Sequence, residues 1–256
     1  MNIAVIFAGG VGSRMNSKKA LPKQFLCMHG KPIIIHTLEH FEDHEEIDVI
    51  VIACVKEWIA YMEDLVKKYN ITKVCKIVPG GETGQMSIYN GLCAAEEIAD
   101  DESIVLIHDG VRPLINSKLI SDSVRTVREH GSAITSVHVK ETVLMVKNEN
   151  ENRIDYVPDR ANTRLARAPQ SFWLREILQA QRKAISEGKT EFIDSCSLMQ
   201  YFGKELFLID GPMENIKITT PDDFYTMRAL LDAKENAQIY GCLLYTSPSP
   251  RDGATS

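Results

Sequence analysis

The sequence contains no hydrophobic run that approaches the roughly 20 apolar residues of a membrane-spanning helix. Its beginning also lacks the basic segment followed by an apolar segment that marks a secretory signal, because Met1 leads directly into an apolar run typical of a core strand. Both absences argue against a membrane protein and against an exported one. We therefore expect a cytoplasmic protein that does not associate with membranes.

The cysteines and histidines show none of the spacings that indicate a metal site or a redox motif. The six cysteines are scattered without a C-x-x-C pair, and the seven histidines form no H-E-x-x-H motif. Disulfides and a zinc site remain as alternatives for the cysteines. Their scatter and their apolar surroundings favour reduced, buried thiols of a cytosolic protein. A structural transition-metal site is therefore not expected.

An excess of basic residues is also missing. The 256 residues carry a formal net charge of -6, whereas surfaces that bind nucleic acid or anionic membranes are usually basic. The content of 44% hydrophobic and 25% charged residues is that of an ordinary globular protein, and the length is sufficient for one large α/β core. No nucleic-acid partner is expected, and any anion-binding site must be a local concentration of Lys and Arg.

The stretch from Ile3 to Gln24 carries the first chemical information. An apolar run with the length and β-branching of a buried strand is followed by glycines and then by cations. These residues are Gly9, Gly10, Gly12, Arg14, Lys18, Lys19 and Lys23. Glycines let the backbone approach a ligand closely and present N–H groups to it, and the cations follow where an anion would lie. The pattern predicts a polyphosphate-binding site.

Three alternative roles for this glycine-rich loop fit the residues less well. A dinucleotide-binding loop would need a third glycine where Met15 stands, and no ribose-binding acid follows at the expected distance. A phosphate-binding loop of the Walker type is absent, since no Gly-Lys-Ser/Thr follows. A turn that merely needs glycines would not account for the flanking Arg14 and Lys23.

Short apolar strands alternate with amphipathic helices along most of the chain. The predicted strands are Ile3–Phe7, Val49–Ala53, Val74–Val78, Ile104–Ile107, Ala133–Val137 and Leu206–Ile209. The predicted helices are Pro32–Phe41, Lys56–Tyr69, Ser87–Ile98, Leu119–His130, Leu174–Glu187 and Pro221–Glu235. This alternation predicts an α/β fold with a Rossmann-like, doubly wound, mostly parallel sheet. Ligands of such sheets bind beyond the carboxyl ends of the strands, where the glycine-rich and charged loops fall.

Two segments depart from the alternation. Residues 137–160 read as two strands joined by a polar loop, a β-hairpin inserted in the domain, and its Val, Leu and Met content invites pairing with another subunit. Residues 242–256 have no helical or strand period, and their Ser, Pro and Gly content predicts disorder. We expect a single domain over 1–241 followed by a tail of non-native origin, with a native flexible tail as the alternative.

Five motifs in order resemble one known family. They are A-G-G-x-G-S-R-M with P-K-Q-F (Ala8 to Phe25), Gly80 to Leu92, His108 to Pro113, Ala168 to Phe172, and Asn215 to Asp223. The stretch of about residues 2 to 235 resembles the polyol-phosphate cytidylyltransferases of the sugar-nucleotidyltransferase superfamily. That family comprises the enzymes acting on ribitol 5-phosphate and on 2-C-methyl-D-erythritol 4-phosphate.

The resemblance implies a nucleotidyltransferase that moves CMP from CTP onto a polyol phosphate with the help of Mg²⁺. By matching position, the resemblance assigns catalytic roles to Arg14, Lys23 and Lys217. It places CTP against Ala8, Gly9, Gly10, Gly12, Gly80, Gly81 and Ser87. It assigns Asp109 and Arg112 to the acceptor, and Asp109 also to the metal ion. Because the attacking phosphate is already negative, catalysis requires positioning and charge neutralisation more than a strong base.

The hairpin has a special role in this resemblance. In the family the hairpin arm of one subunit reaches the active site of its partner, so a homodimer is expected. Thr142 and Arg160 match the arm residues that hold the acceptor's phosphate. Taken without the resemblance, a lone arginine on a hairpin is an ordinary solvated side chain.

The residues within the motifs resemble the ribitol-phosphate branch of the family more than its other branch. The ribitol-phosphate branch supplies wall or capsule polymers such as teichoic acid. The methyl-erythritol branch of isoprenoid synthesis is the alternative. Gly84 stands where many members have Arg, and Ile193 stands where many have Thr, so both departures bear on the acceptor. Two hypotheses of other classes are disfavoured. The missing third glycine and Lys217 argue against a Rossmann oxidoreductase. The four charged residues Arg14, Lys23, Asp109 and Lys217 argue against a catalytically silent homologue.

Overall fold

The computed structural model describes residues 1–9, 21–100, 102–148 and 152–246. The chain forms two compact units, Met1–Lys217 and Ile218–Ser256. The expected single domain over 1–241 stays a prediction.

The first unit contains eleven strands and six helices in the described ranges. The strands are β1 (Asn2–Ala8), β2 (Cys27–Met28), β3 (Lys31–Pro32), β4 (Val49–Cys54), β5 (Val74–Pro79), β6 (Ile104–Asp109), β7 (Ser132–His138), β8 (Met145–Val146), β9 (Ile154–Tyr156), β10 (Arg164–Trp173) and β11 (Leu208–Asp210). The helices are α1 (Ile33–Glu42), α2 (Ile59–Lys68), α3 (Gly84–Glu96), α4 (Ser117–His130), α5 (Leu174–Ser186) and α6 (Ser195–Tyr201).

Seven of these strands form one sheet in the order β11-β7-β10-β6-β1-β4-β5. All neighbours are parallel except β10, which runs antiparallel to both β6 and β7. The predicted α/β fold with a mostly parallel sheet is therefore confirmed. Strand β1 lies between β6 and β4, with Phe7 opposite Asp109 and Ala8 opposite Cys54.

The core lies on both faces of the sheet, as a doubly wound fold requires. Along β1, Ala4 and Ile6 belong to the cluster that includes residues of α1, α2 and α4, whereas Ile3 and Val5 belong to the cluster with α3, α5 and α6. Successive side chains of a strand point to opposite faces, so one apolar run supplies both clusters. This explains why β1 has a continuous apolar sequence with no polar alternation.

Strand β10 and helix α6 of the first unit were absent from the sequence-based prediction. Strand β10 has the sequence RLARAPQSFW, whose polar and proline residues hide it, and its pairing with β7 shifts register between Ala166 and Gln170. Helix α6 has only seven residues and is held by a capping box between Asp194 and Ser197. Both elements depend on local hydrogen bonds and tertiary pairing more than on a hydrophobic period.

The hairpin is present but shorter than predicted. Only β8 and β9 pair with each other, antiparallel, while Val137 belongs to β7 in the main sheet. Several apolar side chains in and beside the two strands are exposed, namely Leu144, Met145, Val146, Ile154, Tyr156 and Val157. The role of this hairpin in dimerisation stays a prediction.

The second unit contains helix α7, Pro221–Thr246. Thr220 caps its start, because its Oγ1 accepts a hydrogen bond from Asp223 N while Asp223 Oδ2 accepts one from Thr220 N. The helix continues past the predicted end at Glu235 as far as Thr246, so it includes residues 242–246 of the segment predicted to be disordered. The disordered, non-native tail over 242–256 stays a prediction. Residues 247–256 lie outside the described ranges. Within those ranges no helix is both long and apolar enough to cross a bilayer.

Candidate active site

The carboxyl ends of the central parallel strands bring several predicted site residues to one edge. Ala8 ends β1, Asp109 ends β6, and Gly80 follows β5 directly. Gly80 N donates a hydrogen bond of 2.6 Å to Cys54 O at the end of β4, and Gly110 N donates one of 3.1 Å to Phe7 O. These bonds fix the loops after β5 and β6 against the neighbouring strand ends.

The glycine–serine cluster, defined as Gly9, Gly80, Gly81 and Ser87, lies over β1 and β4. Ser87 Oγ accepts a hydrogen bond of 3.0 Å from Gly81 N and donates one of 2.9 Å to Thr83 O. A Cβ atom on Gly9 would lie 2.6 Å from Ser87 Oγ, so only glycine permits this approach. The cluster exposes bare backbone beside the first turn of α3, a geometry suited to a polar or anionic ligand.

Replacing Gly81 by alanine is expected to lower the free energy of unfolding by about 1–3 kcal/mol. The added Cβ would overlap the Met86 side chain and lie 2.8 Å from its carbonyl carbon. Urea denaturation measures the effect. Gly84→Ala is the matched control, because a Cβ there meets nothing within 4 Å. Equal behaviour of the two variants would contradict a steric cause.

The carboxylate–cation cluster, defined as Asp109, Arg112 and Lys217, lies at the end of β6. Arg112 Nε donates a hydrogen bond of 2.7 Å to Asp109 Oδ2, and Lys217 Nζ lies 2.5 Å from Asp109 Oδ1. The side chains of Asp109 and Arg112 are only 7% and 10% exposed, whereas that of Lys217 is 37% exposed. Lys217 Nζ also lies 5.5 Å from the centre of the Phe7 ring, which places it between β1 and β6.

The electrostatics of this cluster keep the carboxylate ionised. Burial alone would raise the pKa of Asp109, but the charges of Lys217 and Arg112 lower it below its usual range. Two cations facing one carboxylate leave a net positive charge at the sheet edge. The arrangement can therefore bind an additional anion and hold its cations in position at the same time.

Asn215 links this cluster to β10. Its carbonyl accepts a hydrogen bond of 2.9 Å from an Arg112 terminal nitrogen, and its Nδ2 donates one of 2.6 Å to Ala168 O. Asn215 is fully buried and lies two residues before Lys217. Asn215 was not among the site residues predicted from the sequence. Its place in the fifth motif, two residues before the predicted catalytic lysine, was the available signal.

His108 is a positioning residue for the same loop. Its Nε2 hydrogen-bonds to Arg112 O at 3.0 Å, so Nε2 carries the proton because the carbonyl can only accept. Burial lowers the pKa of His108 to about 4, and the ring is therefore neutral at pH 7. A neutral, wholly buried imidazole bonded to backbone stabilises the Arg112 turn and takes no part in proton transfer.

Lys23 begins a 3-10 helix over Lys23–Phe25, and this helix is anchored at the end of β1. Gln24 Nε2 donates a hydrogen bond of 2.8 Å to Ala8 O, and Phe25 is fully buried. The Lys23 backbone is thus held beside the strand whose end carries Gly9. Gly10, Gly12 and Arg14 lie outside the described residues, and their roles stay predictions.

Thr142 and Arg160 lie on exposed segments next to the hairpin. A terminal nitrogen of Arg160 donates a hydrogen bond of 3.4 Å to Lys140 O, so the two segments adjoin. Within the described ranges no hydrogen bond or ion pair joins either residue to the carboxylate–cation cluster. Ile193, the departure noted in the sequence, is 97% exposed. Thr142 and Arg160 are therefore not bonded to this cluster within the described part of one subunit.

A magnesium ion would find one buried carboxylate here. No group of three or more His, Cys, Asp or Glu side chains in the described part of the chain could hold a metal ion. Mg²⁺ typically binds through one or two carboxylates together with substrate phosphates and water. Asp109 alone, at the strand edge beside the cations, fits an ion that arrives with a polyphosphate and does not fit a preformed metal site.

Comparisons with known proteins agree on one family. The model of the family described as IspD, 2-C-methyl-D-erythritol 4-phosphate cytidylyltransferase, matches residues 2–233. A ribitol-5-phosphate cytidylyltransferase of Streptococcus agalactiae serotype III (strain NEM316) is 57% identical over 241 residues, which cover 94% of this chain and 100% of that protein. Another of Vibrio parahaemolyticus serotype O3:K6 is 53% identical, with coverage of 94% and 100%.

More distant relatives carry the other acceptor in their names. A 2-C-methyl-D-erythritol 4-phosphate cytidylyltransferase of Clostridium botulinum (strain Langeland) is 39% identical over 231 residues, which cover 90% of this chain and 97% of that protein. The crystal structure of 4-diphosphocytidyl-2C-methyl-D-erythritol synthase from Anaerococcus prevotii superposes with a TM-score of 0.76 at 27% identity. The superposition covers 90% of this chain and 96% of the Anaerococcus prevotii chain.

Proposed function

This chain belongs to the family of 2-C-methyl-D-erythritol 4-phosphate cytidylyltransferases, and on that premise we propose that it transfers CMP from CTP to D-ribitol 5-phosphate. The products are CDP-ribitol and pyrophosphate. The choice of D-ribitol 5-phosphate as the acceptor rests on sequence identity. The chain is 57% and 53% identical to two ribitol-5-phosphate cytidylyltransferases, against 39% to the methyl-erythritol enzyme. All three alignments cover at least 90% of the chain, so the difference does not come from a short match.

The proposed reaction is a displacement at the α-phosphorus of CTP. An oxygen of the acceptor's phosphate forms a bond to that phosphorus, and the bond to the oxygen bridging the α- and β-phosphates breaks. The leaving group is pyrophosphate, and no proton needs to move because the attacking oxygen is already an anion. The protein must therefore hold two polyanions together and neutralise the charge that develops on the leaving oxygen.

The cations of the described site suit these tasks. Lys217 lies between β1 and β6, where it would meet the triphosphate, and the Lys23 backbone is held beside the same strand end. Asp109 fixes Lys217 and Arg112 through one ion pair each, so little reorganisation is needed when substrates bind. The glycine–serine cluster offers backbone contacts to the nucleoside part of CTP, and the predicted role of Arg14 adds a further cation.

Magnesium fits this proposal as a partner of the triphosphate. Asp109 would contribute the protein's carboxylate, and the ion would supply additional charge neutralisation at the phosphates. Because both Asp109 oxygens face cations in this structure, the carboxylate serves mainly to place Arg112 and Lys217.

We also propose a homodimer in which the hairpin of one subunit completes the site of the other. The support is the exposed apolar hairpin, together with the finding that in the described residues no hydrogen bond or ion pair joins Thr142 or Arg160 to the cluster of the same subunit. Apolar side chains concentrated on a projecting hairpin are typical of an interface. A cytoplasmic location and a role in supplying wall or capsule polymers, including teichoic acid, follow as part of the same proposal.

Pyrophosphate release by the purified protein with CTP and Mg²⁺ tests the proposal. We expect turnover with D-ribitol 5-phosphate and at least tenfold lower kcat/KM with 2-C-methyl-D-erythritol 4-phosphate, about 1.4 kcal/mol of discrimination. The reverse order would establish the alternative acceptor, which the name of the family favours. No release with either acceptor would remove the enzymatic proposal. Omission of Mg²⁺ with added chelator tests the metal separately.

A further inference from the structure

Arg167 is a cation of the site edge that the five motifs and the resemblance leave without a role. It lies on β10 between Ala166 and Gln170, where the pairing with β7 shifts register. Its Nε is buried, and no hydrogen-bond partner for it exists among the residues that the structure describes. A buried guanidinium nitrogen without a hydrogen bond costs free energy, so a compensating ligand is the natural inference.

The direction of β10 places Arg167 at the carboxyl edge of the sheet. Strand β10 is antiparallel to β6, with Gln170 opposite Ile107, so the residues before Gln170 approach the end of β6 where Asp109 stands. Ala168, the next residue after Arg167, receives the hydrogen bond from Asn215 Nδ2. Asn215 in turn accepts the hydrogen bond from Arg112. Arg167 is therefore tied by its neighbour to the carboxylate–cation cluster.

The charge of Arg112 acts on Arg167 directly. Burial lowers the pKa of the Arg167 guanidinium, and the positive charge of Arg112 lowers it further, so the two groups are close enough to repel each other. Arg112 has Asp109 as its carboxylate partner, which Lys217 shares. Arg112 and Lys217 thus share one carboxylate, and Arg167 adds a third cation, so two positive charges are left uncompensated. A phosphate monoester carries nearly two negative charges at pH 7 and matches this excess.

The strand order separates two ends of the edge. The glycine–serine cluster follows β1 and β5, whereas β10 lies on the other side of β6. With strands about 4.8 Å apart, β10 is roughly 10 Å from β1 and roughly 19 Å from β5. A nucleotide whose base lies near β5 and whose triphosphate crosses β1 leaves the β6–β10 side for the second substrate.

We propose that Arg167 binds the phosphate of the acceptor, D-ribitol 5-phosphate, together with Arg112, and so helps to determine acceptor specificity. This inference rests on the proposed function. The two guanidinium groups hold the phosphate that supplies the attacking oxygen, on the side of β6 away from the nucleotide. The bound dianion supplies the hydrogen-bond acceptor that Arg167 Nε lacks and relieves the repulsion from Arg112.

Kinetics of Arg167→Leu test the assignment. We expect KM for D-ribitol 5-phosphate to rise about 10- to 100-fold, the range of a hydrogen bond to a charged group, while KM for CTP changes less than about twofold. Arg167→Lys should recover part of the affinity for D-ribitol 5-phosphate. Lysine keeps the positive charge but cannot donate the two parallel hydrogen bonds of a guanidinium. Arg164→Leu is the matched control from the same strand, since Arg164 pairs with Asp210 at 2.8 Å instead. Its KM for the acceptor should match the wild type.

Two results would overturn the assignment. One is an equal rise of both KM values, which would place Arg167 on the nucleotide side or in the fold. The other is an unchanged KM for the acceptor in a folded Arg167→Leu protein. Calorimetric titration with D-ribitol 5-phosphate, in the presence of CDP and without turnover, gives a readout independent of catalysis. If Arg167→Leu does not fold, the affinity of Arg167→Lys for D-ribitol 5-phosphate decides the question. An affinity of Arg167→Lys equal to that of the wild type would also overturn the assignment.

The proposed function and the role of Arg167 can fail separately. If the wild type releases no pyrophosphate with either acceptor, the proposed function fails. Titration of the wild-type protein and of the two leucine variants with inorganic phosphate still tests whether Arg167 binds a phosphate dianion. Loss of that binding in Arg167→Leu and its retention in Arg164→Leu would support the site, and equal binding by all three proteins would overturn it.

Discussion

Asp109→Asn is expected to lower the free energy of unfolding by about 3–5 kcal/mol, because removal of one partner from a buried ion pair leaves the other charge unpaired. Arg112 is the charge that would be left unpaired. Its side chain is 10% exposed and cannot reach water without moving the turn after β6. Turnover should also fall about 10²-fold or more, because Arg112 and Lys217 lose the carboxylate that places them. Urea denaturation and initial rates measure the two effects.

Asp122→Asn provides a close control. The Asp122 carboxylate is 11% exposed and pairs with Lys118 and with Arg125, the latter at 2.6 Å, so it also holds two cations. Those side chains are 80% and 60% exposed and can return to water. The expected loss is therefore about 1 kcal/mol or less, and turnover should not change. Equal losses for the two variants would show that burial of the cation is not the cause.

The effect of Asp109→Asn should depend on pH. The folded-state pKa of Asp109 is lowered, so its charge stabilises the fold fully above the unfolded pKa near 4 and loses this effect as pH falls through the folded pKa. The difference in unfolding free energy between wild type and variant should be constant above about pH 5 and shrink below about pH 4. A difference that grows on acidification would contradict the ionised pair.

Lys217→Met is expected to lower kcat about 10²- to 10³-fold, the range seen when one stabilising group of a developing negative charge is removed. The folded state should be affected little, because Asp109 keeps Arg112 as its partner and Lys217 is 37% exposed. Single-turnover measurements with saturating CTP and acceptor separate this effect on chemistry from an effect on binding.

A second lysine distinguishes catalysis from general charge. Lys204 pairs with Glu176 at 3.2 Å, and both side chains are exposed, so Lys204→Met removes the same charge away from the site. It should leave kcat unchanged. If Lys217→Met reduced only the melting temperature and kept kcat, the lysine would be a structural partner of Asp109 and the proposed mechanism would lose its central cation.

The parts of the site that sequence could predict are those next to apolar strands. The runs that form β1 and β6 are buried on both faces, so their ends, and with them Gly9 and Asp109, follow from hydrophobicity alone. Arg112 and Lys217 were named through motif resemblance. The structure adds their common carboxylate, a contact between residues more than one hundred positions apart, which no local pattern encodes.

What could not be predicted belongs mainly to β10. Its first residues are two arginines separated by two apolar residues and followed by Ala168 and Pro169, so no strand period is visible. Its antiparallel direction depends on pairing with β6 and β7. Without that direction, Arg167 reads as an ordinary surface cation. Asn215 has the same difficulty, since its two hydrogen bonds connect β10 with the turn after β6.

The bonds of Asn215 also have a consequence for how the protein matures. They close loops of 103 and 47 residues, and loop-closure entropy disfavours such contacts until the intervening chain is ordered. We therefore expect Arg112 to reach its final orientation late in folding, once Ala168 and Asn215 are in place. A nascent chain that ends before residue 215 lacks the Asn215 bonds to Arg112 and Ala168. On this expectation, the site becomes competent only when the first unit is nearly complete.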